Sequence, residues 1–405
     1  MNIVIIGAGA SGMAAAIQAA RDPEHKIILL ERQSRVGKKL MATGNGRCNL
    51  TNTGTSPENY HGSDPDFVCS VLDAYPPERV LNFFEELGLL TNEEYGGRVF
   101  PRSSHAASVV DVLRLGLQQE NVCLRTDTAV DYVVKTDTGF ELTLGNEKLQ
   151  ADRLIIACGG CAGTKIGGTM DGYHLLKSLG HSRTALYPAL TQIRTAPEYP
   201  KAMKGVKVDS GLSLWRGKAL LGEARGDILF TESGISGTAV FELSRIAAVP
   251  GEDITAKIDF FPEMKENDLY QHLKKRCAAL SQQDAALLLT GAVQSRVGQC
   301  LMKSAKVCST SPCSALRDRD LRNLSKAAKC LSLSVTGVSG FESAQVTHGG
   351  IKTEEFDPVT LESRLVPGLF ACGEVLDVDG DCGGYNLQWA WASGLTAGLL
   401  GNHPD

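Results

Sequence analysis

Residues 2–31 read NIVIIGAGASGMAAAIQAARDPEHKIILLE. The two apolar runs at its ends are rich in β-branched residues and predict two buried strands. Between them, Gly7, Gly9 and Gly12 form a G-x-G-x-x-G motif that opens a helix. The stretch therefore predicts a strand, a glycine-rich turn, a helix and a second strand, which is the unit that begins an α/β dinucleotide-binding domain.

Each part of this motif has a physical role in holding a dinucleotide. Gly7 makes the tight turn, Gly9 lets a pyrophosphate approach the backbone, and Gly12 lets the helix pack against the strand. The helix N-terminus offers N–H groups and a positive dipole end to the phosphates. An acid at the end of the second strand is expected to bind an adenosine ribose. The residues assigned to these contacts are Gly7, Gly9, Ala10, Ser11, Gly12, Glu31 and Arg32.

The C-terminal part of the chain indicates which dinucleotide binds. Residues 367–374 read PGLFACGE, an apolar strand that ends in Gly-acid, and residues 390–400 are predicted to be helical. Such an acid can bind ribityl hydroxyls, and the helix N-terminus, with Asn386 as its expected N-cap, can face an isoalloxazine ring. NAD enzymes do not need this second part, so the predicted cofactor is FAD. The assigned contacts are Gly373, Glu374, Gly383, Gly384, Tyr385, Asn386, Leu387 and Gln388.

Between these two parts, residues 67–87 have helical spacing, residues 122–151 alternate like a small antiparallel meander, and residues 170–180 predict a helix that ends at Gly180.

The middle of the chain has a different character and predicts an insertion. Residues 188–260 are strand-like and punctuated by glycine, and residues 261–330 are mostly helical, with little βαβ alternation. We therefore expect an FAD-binding domain made of residues 1–187 and 345–405, interrupted by an inserted domain over residues 188–344.

Composition restricts the class of protein. The 405 residues carry a net charge of −5, which gives no general electrostatic attraction to nucleic acid or anionic membranes. Long apolar runs of a membrane span are missing from the sequence, and the N-terminal apolar run is interrupted by glycines, so we expect a cytoplasmic protein with no membrane partner. The twelve cysteines are then expected to be reduced. Cys158 and Cys161 have redox-pair spacing, but a structural role is favoured, and no metal site is predicted.

Several further motifs make the chain resemble the YhiN/BaiN-like flavoproteins, often labelled the aminoacetone oxidase family. They are TGNGRCN at 43–49, GRVFP at 97–101, THGG at 347–350, GEVLDVDG at 373–380 and GGYNLQ at 383–388. The matches extend from residue 3 to about residue 398. The resemblance implies a glutathione-reductase-type Rossmann FAD domain interrupted by an inserted β-barrel-plus-helical domain. It also implies either reduction of enone-like bonds, as in bile acid derivatives, or amine oxidation.

In such proteins the segment after the second strand runs back along the pyrophosphate toward the flavin. The glycines of residues 43–49 permit close backbone approach, and the asparagines offer donors and acceptors to the ring edge. Cys48 is a candidate catalytic thiol, although a small residue packed beside the flavin is the favoured interpretation. The contacts assigned here are Lys38, Lys39, Thr43, Gly44, Asn45, Gly46, Arg47, Cys48 and Asn49, together with Val130, Cys158, Gly159 and Gly160.

The predicted activity is hydride exchange through flavin N5 with a small-molecule substrate. Candidate proton donors or orienting groups are His348, Tyr385 and Arg47, each with a purely structural alternative. A second G-x-G-x-x-G is missing from the sequence, so NAD(P)H is expected as a transient electron donor, unless the substrate itself is the donor. The favoured reaction is NAD(P)H-dependent reduction of an enone-like, steroid or bile-acid-type substrate. The alternatives are a flavin amine oxidase of the aminoacetone oxidase type, an RNA-binding flavoprotein that uses the basic segment 296–329, and a flavin sensor without turnover.

Overall fold

The computed structural model describes residues 1–251 and 253–402, and the chain divides into two compact units. The first unit comprises residues 1–187 and 345–405, and the second comprises residues 188–344. That these units are an FAD-binding domain and an inserted domain stays a prediction. The first segment contains the strands β1 (Asn2–Ile6), β2 (Lys26–Leu30), β3 (Thr51–Asn52), β4 (Tyr60–His61), β5 (Thr91–Glu94), β6 (Arg98–Pro101), β7 (Val122–Arg125), β8 (Tyr132–Lys135), β9 (Phe140–Leu144), β10 (Glu147–Ala151) and β11 (Arg153–Ile156), and the helices α1 (Ala10–Ala19), α2 (Phe67–Ala74), α3 (Pro77–Glu86), α4 (Ala106–Gly116) and α5 (Asp171–Ser178).

The rest of the chain passes through the second unit and returns to the first. Strand β12 (Tyr187–Ala189) spans the division. The second unit contains β13 (Ile193–Thr195), β14 (Lys207–Arg216), β15 (Ala219–Phe230), β16 (Gly234–Ser236), β17 (Ile254–Asp259) and β18 (Leu331–Val338), with α6 (Glu198–Ala202), α7 (Thr238–Ala248), α8 (Glu266–Ala279), α9 (Ser295–Ser304) and α10 (Asp318–Lys329). The returning segment contains β19 (Val346–His348), β20 (Leu369–Ala371), β21 (Asp379–Gly380) and α11 (Tyr385–Gly398).

A parallel five-stranded sheet with the order β20-β11-β1-β2-β7 forms the centre of the first unit. The apolar run of β1 is buried from both sides, as expected for a parallel strand. Residues 122–151 were expected to form one antiparallel meander, and this is wrong for β7, which pairs in parallel with β2. Only β8, β9 and β10 form the meander, because their alternating pattern buries one face while β7 extends the central sheet.

Helices cover this sheet, with one break that the helical spacing did not indicate. The predicted helical stretch 67–87 is two helices, α2 and α3, separated at Tyr75 and Pro76. Prolines at residues 76 and 77 end the first helix and suit the first turn of the second. Helix α5 ends as predicted, with Gly180 in a left-handed conformation just past its end (φ +97°).

Helix α11 packs directly against α1, the helix that follows the glycine motif. A Cβ atom on Gly394 would overlap the backbone of Ser11, and one on Gly398 would lie 2.6 Å from the carbonyl oxygen of Ala15. The two helices can approach this closely only because glycine has no side chain. This contact fixes the N-termini of both helices within the first unit.

A closed barrel with the strand order β13-β16-β15-β14-β17-β18 forms the centre of the second unit. Strand β18 follows the helical stretch in sequence and closes the barrel against β17 and β13. Helix α7 lies within residues 188–260, where the glycine-punctuated pattern predicted strands alone; its apolar face, including Val240 and Leu243, is buried. Helices α8, α9 and α10 supply the predicted helical part. Within residues 1–251 and 253–402, none of the helices has the length and hydrophobicity needed to cross a membrane.

Candidate active site

The glycine turn, residues 7–12, has the geometry that the motif predicts. Gly7 has a φ of +104°, and a Cβ there would lie 2.5 Å from the carbonyl oxygen of Ala157. A Cβ on Gly12 would overlap the carbonyl oxygen of Gly7, so this position must also be glycine. Around Gly9, in contrast, no described atom lies within 4 Å of such a Cβ. Gly7 and Gly12 therefore serve the packing of the turn, while Gly9 leaves space beside the start of α1.

The end of β2 returns to this turn. The carboxylate of Glu31 accepts hydrogen bonds from the backbone N–H groups of Ala8 at 3.0 Å and Gln33 at 2.8 Å. Gly37 donates its N–H to the carbonyl of Ala8, so the chain after β2 runs back along the turn. The side chains of Arg32 and Lys38 do not take part in this cluster; they bond to Asp171 and Gln33 respectively.

A second acid, Glu374, lies at the end of β20. Its carboxylate accepts hydrogen bonds from the ammonium group of Lys39 at 2.7 Å and from the backbone N–H of Thr347 at 2.7 Å. A Cβ on Gly160 would lie 2.7 Å from Glu374 Oε1. The structure thus brings together three of the predicted segments: the strand end at Gly160, the loop after β2 and the Gly-acid motif. Val130, also assigned to the cofactor, lies half-buried between β7 and β8.

The flavin loop, defined as residues 43–49, contains backbone conformations that residues other than glycine rarely adopt. Gly44, Asn45, Gly46 and Cys48 all have positive φ, between +55° and +81°. The thiol of Cys48 is fully buried, and burial raises its pKa to about 12. A neutral thiol is the form present at neutral pH, so the loop offers Cys48 as a packed residue and not as a nucleophile.

Arg47 of this loop is held by a carboxylate. Its guanidinium forms an ion pair with Glu94 at the end of β5 and lies 4.1 Å from the centre of the Phe100 ring. The hydrogen bond with Glu94 raises the pKa of Arg47 and, in the other direction, lowers the pKa of Glu94. Arg47 was a candidate proton donor or orienting group; in the structure it joins the loop to the β5–β6 hairpin.

Helix α11 begins at Tyr385, and its N-cap is Gly384 in a left-handed conformation (φ +109°). The expectation that Asn386 is the N-cap is wrong. The Asn386 side chain instead bonds the N–H and the carbonyl of Gly380, each at 2.8 Å. Gln388 is fully buried, and its amide bonds Thr51 and the carbonyl of Tyr75, so its side chain acts as an internal bridge.

His348 is oriented by a buried carboxylate. Its Nδ1 lies 2.6 Å from Oδ1 of Asp379, whose side chain is 1% exposed. The imidazole itself is about a quarter exposed and stacks on the ring of Tyr187, with the centroids 6.4 Å apart. The next residue after Asp379, Gly380, adjoins the first turn of α11. The bond to Asp379 thus fixes the orientation of the imidazole ring.

A second histidine–aspartate pair joins β4 to the residue that follows β21. β21 pairs with β4, with Asp379 opposite His61, and Nε2 of His61 lies 2.7 Å from Oδ1 of Asp381. Asp377, two residues earlier, accepts hydrogen bonds from the N–H and hydroxyl of Ser63. The alternating aspartates therefore tie residues 59–63 to the segment that precedes α11.

Comparison with known proteins places the chain in a family. A family model described as HI0933-like protein Rossmann domain matches residues 1–400. The chain belongs to the HI0933-like family. A protein of Clostridium scindens named 3-dehydro-bile acid delta(4,6)-reductase is 39% identical over 405 residues, 98% of this chain and 98% of the relative. A protein of Escherichia coli named ribosomal RNA dihydrouridine synthase is 32% identical, covering 97% of this chain and 96% of the relative.

The resemblance to YhiN/BaiN-like flavoproteins is thereby confirmed, and the HI0933-like chain is an FAD-dependent oxidoreductase. Among solved structures, 3-ketosteroid delta1-dehydrogenase from Sterolibacterium denitrificans is similar, with a TM-score of 0.52 and 13% identity over 98% of each chain. At this identity the similarity concerns the fold alone. It agrees with the predicted Rossmann FAD fold, and the barrel of the second unit completes the predicted fold class.

The residues of the HI0933-like site fit an extended dinucleotide. The N-cap glycines of α1 and α11 make no side-chain cap, so both helix N-termini present backbone N–H groups. Asn49 Oδ1 is buried and has no hydrogen-bond partner among the described residues, and it lies 3.1 Å from where a Cβ on Gly384 would be. A buried amide oxygen of this kind needs a donor, which the N3–H of an isoalloxazine ring would provide. The individual cofactor contacts stay predictions.

The CxxC pair of the HI0933-like chain does not have the environment of a redox site. Cys158 and Cys161 are free thiols, and burial raises the pKa of both. Cys158 contacts the carbonyl of Ile6, and Cys161 contacts the hydroxyl of Thr347. Both thiols therefore bond neighbouring groups of the protein, which agrees with the structural role that the sequence favoured.

Four residues of the site were not assigned from the sequence. They are Asn52, His61, Asp379 and Asp381. The alternation of aspartates at 377, 379 and 381, directly before the Gly-Gly pair, is a signal that could have indicated the last two. His61 and Asn52 carry no comparable local signal, because their partners lie more than 300 positions away in sequence.

Proposed function

We propose that this chain is an NAD(P)H-dependent reductase of a C=C bond conjugated to a carbonyl group in a small organic molecule. The relative with 39% identity bears a name that describes reduction of a 3-oxo bile acid at its Δ4,6 positions. Bound FAD would supply a hydride to the acceptor. The task of the protein residues is then to orient the acceptor and to deliver the proton that completes the reduction.

The observation that supports this proposal is the pairing of His348 with the buried Asp379 at 2.6 Å. Addition of a hydride to the β-carbon leaves negative charge on the carbonyl side of the acceptor, and a proton at the α-carbon turns C=C into CH–CH. Asp379 holds Nδ1, so Nε2 of His348 is the atom that would pass this proton. Arg47 is a poor acid, since its pairing with Glu94 raises an already high pKa. Tyr385 remains a candidate for orienting the acceptor.

The experiment separates the two half-reactions in FAD-loaded protein under anaerobic conditions. Reduction of the flavin by NADH or NADPH is followed first, and its reoxidation by 2-cyclohexen-1-one or a 3-oxo-Δ4 steroid is followed second. We expect His348→Gln to slow the second half-reaction by roughly 100- to 10,000-fold, the range for loss of a general acid, and to leave the first unchanged. Asp379→Asn should have the same selectivity with a smaller effect, because it acts through His348.

The matched control is His174→Gln, which removes an exposed imidazole on α5. It should leave both half-reactions near the wild-type rates. Equal slowing of both half-reactions by His348→Gln, or no slowing, would contradict the proton-donor role. Flavin that stays oxidised with NAD(P)H and is reduced by amines would favour the amine oxidase alternative.

A second candidate substrate is uridine in ribosomal RNA, because the relative with 32% identity is named for dihydrouridine synthesis. The uracil C5=C6 bond is also conjugated to a carbonyl, so the same hydride and proton additions apply. The basic segment 296–329 gives this candidate little support: Lys303, Arg322 and Lys329 form ion pairs with Glu198, Asp318 and Asp259 respectively. Reoxidation of the reduced protein by ribosomal RNA, but by neither enone, would select this candidate.

A further inference from the structure

The hairpin of β5 and β6 carries an unusually exposed aromatic side chain. Tyr95, at the turn, is 95% exposed, and it precedes two glycines with left-handed backbones, Gly96 (φ +79°) and Gly97 (φ +74°). A single exposed ring is common on protein surfaces and needs no explanation by itself. Whether Tyr95 has a function depends on how the turn is fixed and on what lies beside it.

One side of the hairpin is fixed to the flavin loop. Glu94, the residue before Tyr95, forms the ion pair with Arg47. The Arg47 guanidinium covers the ring of Phe100 on β6, and the Phe100 ring edge lies 3.4 Å from where a Cβ on Gly44 would be. The hairpin therefore packs against residues 44–47.

The other side is fixed to the start of α11. A single amide nitrogen, Nδ2 of Asn52, donates to the carbonyl oxygens of Gly96 and Gly383, each at 3.1 Å. Asn52 is 3% exposed, so this bridge is shielded from water. Gly383 directly precedes the N-cap of α11. The residues on both sides of Tyr95 are thus tied to the two segments that were assigned to the flavin.

We propose that Tyr95 is a specificity-determining residue that packs its ring on the flat apolar face of a fused-ring enone, such as a 3-oxo-Δ4 steroid. This inference rests on the proposed function. Because Glu94 and Gly96 are anchored, little backbone freedom is lost when the ring is covered by a substrate. A fused-ring acceptor that reaches from the start of α11 past the hairpin would contact Tyr95, whereas a single-ring enone is too small to reach both.

The test measures substrate affinity without turnover. The flavin absorbance spectrum of oxidised, FAD-loaded protein is titrated with a 3-oxo-Δ4 steroid and, separately, with 2-cyclohexen-1-one. We expect Tyr95→Ala to raise the Kd for the steroid by roughly three- to ten-fold, as loss of one aromatic contact would, and to leave the Kd for cyclohexenone unchanged. Tyr95→Phe should bind like the wild type, because the ring face is retained.

Tyr132→Ala is the matched control, since Tyr132 is also exposed (69%) but lies on the β8–β10 meander. An unchanged steroid Kd in Tyr95→Ala, an equal rise for both ligands, or no steroid binding by the wild type would overturn the proposal. Weaker binding of a uridine-containing RNA by Tyr95→Ala, with steroid binding unaffected, would also overturn it. Steroid that binds through Tyr95 but does not reoxidise reduced flavin would instead refute the proposed reaction alone.

Discussion

A Cβ atom on Gly394 would overlap the carbonyl oxygen of Ser11, so α11 and α1 are in backbone contact. Ser11 faces Gly394 and Ala15 faces Gly398, which means that the two helices run in the same direction at this contact. Gly394 is in the third turn of α11, while Ser11 is in the first turn of α1. At 1.5 Å per residue, the start of α11 extends about 12 Å beyond the start of α1. One extended cofactor could therefore meet both N-termini.

Gly394→Ala tests this contact. The added methyl group meets backbone that cannot rotate away, so we expect a loss of roughly 1–3 kcal/mol in the free energy of unfolding and weaker FAD retention. Thermal unfolding and the flavin content of the purified protein measure the two effects. The control is Gly298→Ala in α9, where a Cβ would make ordinary contacts of 3.6 and 3.8 Å and helix propensity favours alanine. An unfolding temperature of Gly394→Ala equal to that of the wild type would mean that the helices are not in contact.

Gly9→Ala separates cofactor binding from folding. Gly9 has a φ of −81°, which alanine adopts readily, and no described atom lies near the added methyl group. We expect the apoprotein to unfold at the wild-type temperature while FAD affinity falls, because the methyl group would occupy the space predicted for the pyrophosphate. Gly12→Ala should instead lower both, since its Cβ overlaps the carbonyl of Gly7. Wild-type FAD affinity in Gly9→Ala would remove the assigned role of Gly9.

The features that were predicted correctly from the sequence depend on residues that are close together along the chain. The glycine turn, β1 and β2 were predicted because each depends on residues that are close in sequence, namely an apolar run and a glycine spacing. The N-cap of α11 was assigned to Asn386 by residue preference, but the left-handed Gly384 begins the helix and Asn386 folds back to Gly380. The preference of an isolated residue is overridden when a stronger set of contacts is available.

The pairings that build the site depend on distant residues, and no local pattern reveals them. The amide of Asn52 that bridges to Gly383 spans 331 positions, and the contact between His61 and Asp381 spans 320. Strand β7 was placed in the meander because its alternation resembles that of its neighbours, yet its partner β2 lies almost 100 residues earlier. Long-range pairing of this kind is decided by the packing of the whole unit.

Cys308 and Cys48 are expected to differ strongly in their reactivity with an alkylating reagent. Cys308 is exposed, and hydrogen bonds from Thr310 and Ser311 lower its pKa to about 7. Burial raises the pKa of Cys48 to about 12. We expect iodoacetamide to label Cys308 at a rate that increases through pH 7 as its thiolate forms, and to leave Cys48 unlabelled in folded protein.

Peptide mass spectrometry after brief labelling at several pH values measures this difference. The variant Cys308→Ser should lose the fast component, and unfolding in denaturant should expose Cys48 to the reagent. Labelling of Cys48 in the folded protein as fast as that of Cys308 would show that the flavin loop opens or carries a thiolate, and would restore Cys48 as a catalytic candidate.

His181 makes the stability of the first unit depend on pH. Its side chain is fully buried, stacks on Phe356 and bonds Glu355 at 2.8 Å and Ser363 at 3.0 Å. Burial lowers the pKa of His181 below 6.5, and this outweighs the opposing effect of Glu355. Below pH 6.5 the unfolded chain therefore binds a proton that the folded chain does not, and the folded state loses stability as the pH falls.

The expected loss is at most about 1.4 kcal/mol at one pH unit below 6.5. Glu355 adds a loss of the same sign at more acidic pH, because hydrogen bonds from Ser182 and His181 lower its pKa despite burial. Thermal unfolding at pH 7.0 and pH 5.5 measures the effect. His181→Gln should show a smaller decrease in unfolding temperature between the two pH values than the wild type, whereas His174→Gln, at an exposed position of α5, should show the wild-type decrease. Equal decreases in the wild type and His181→Gln would mean that folding does not change the pKa of His181, and a larger decrease in His181→Gln would mean that the folded protein holds an imidazolium beside Glu355.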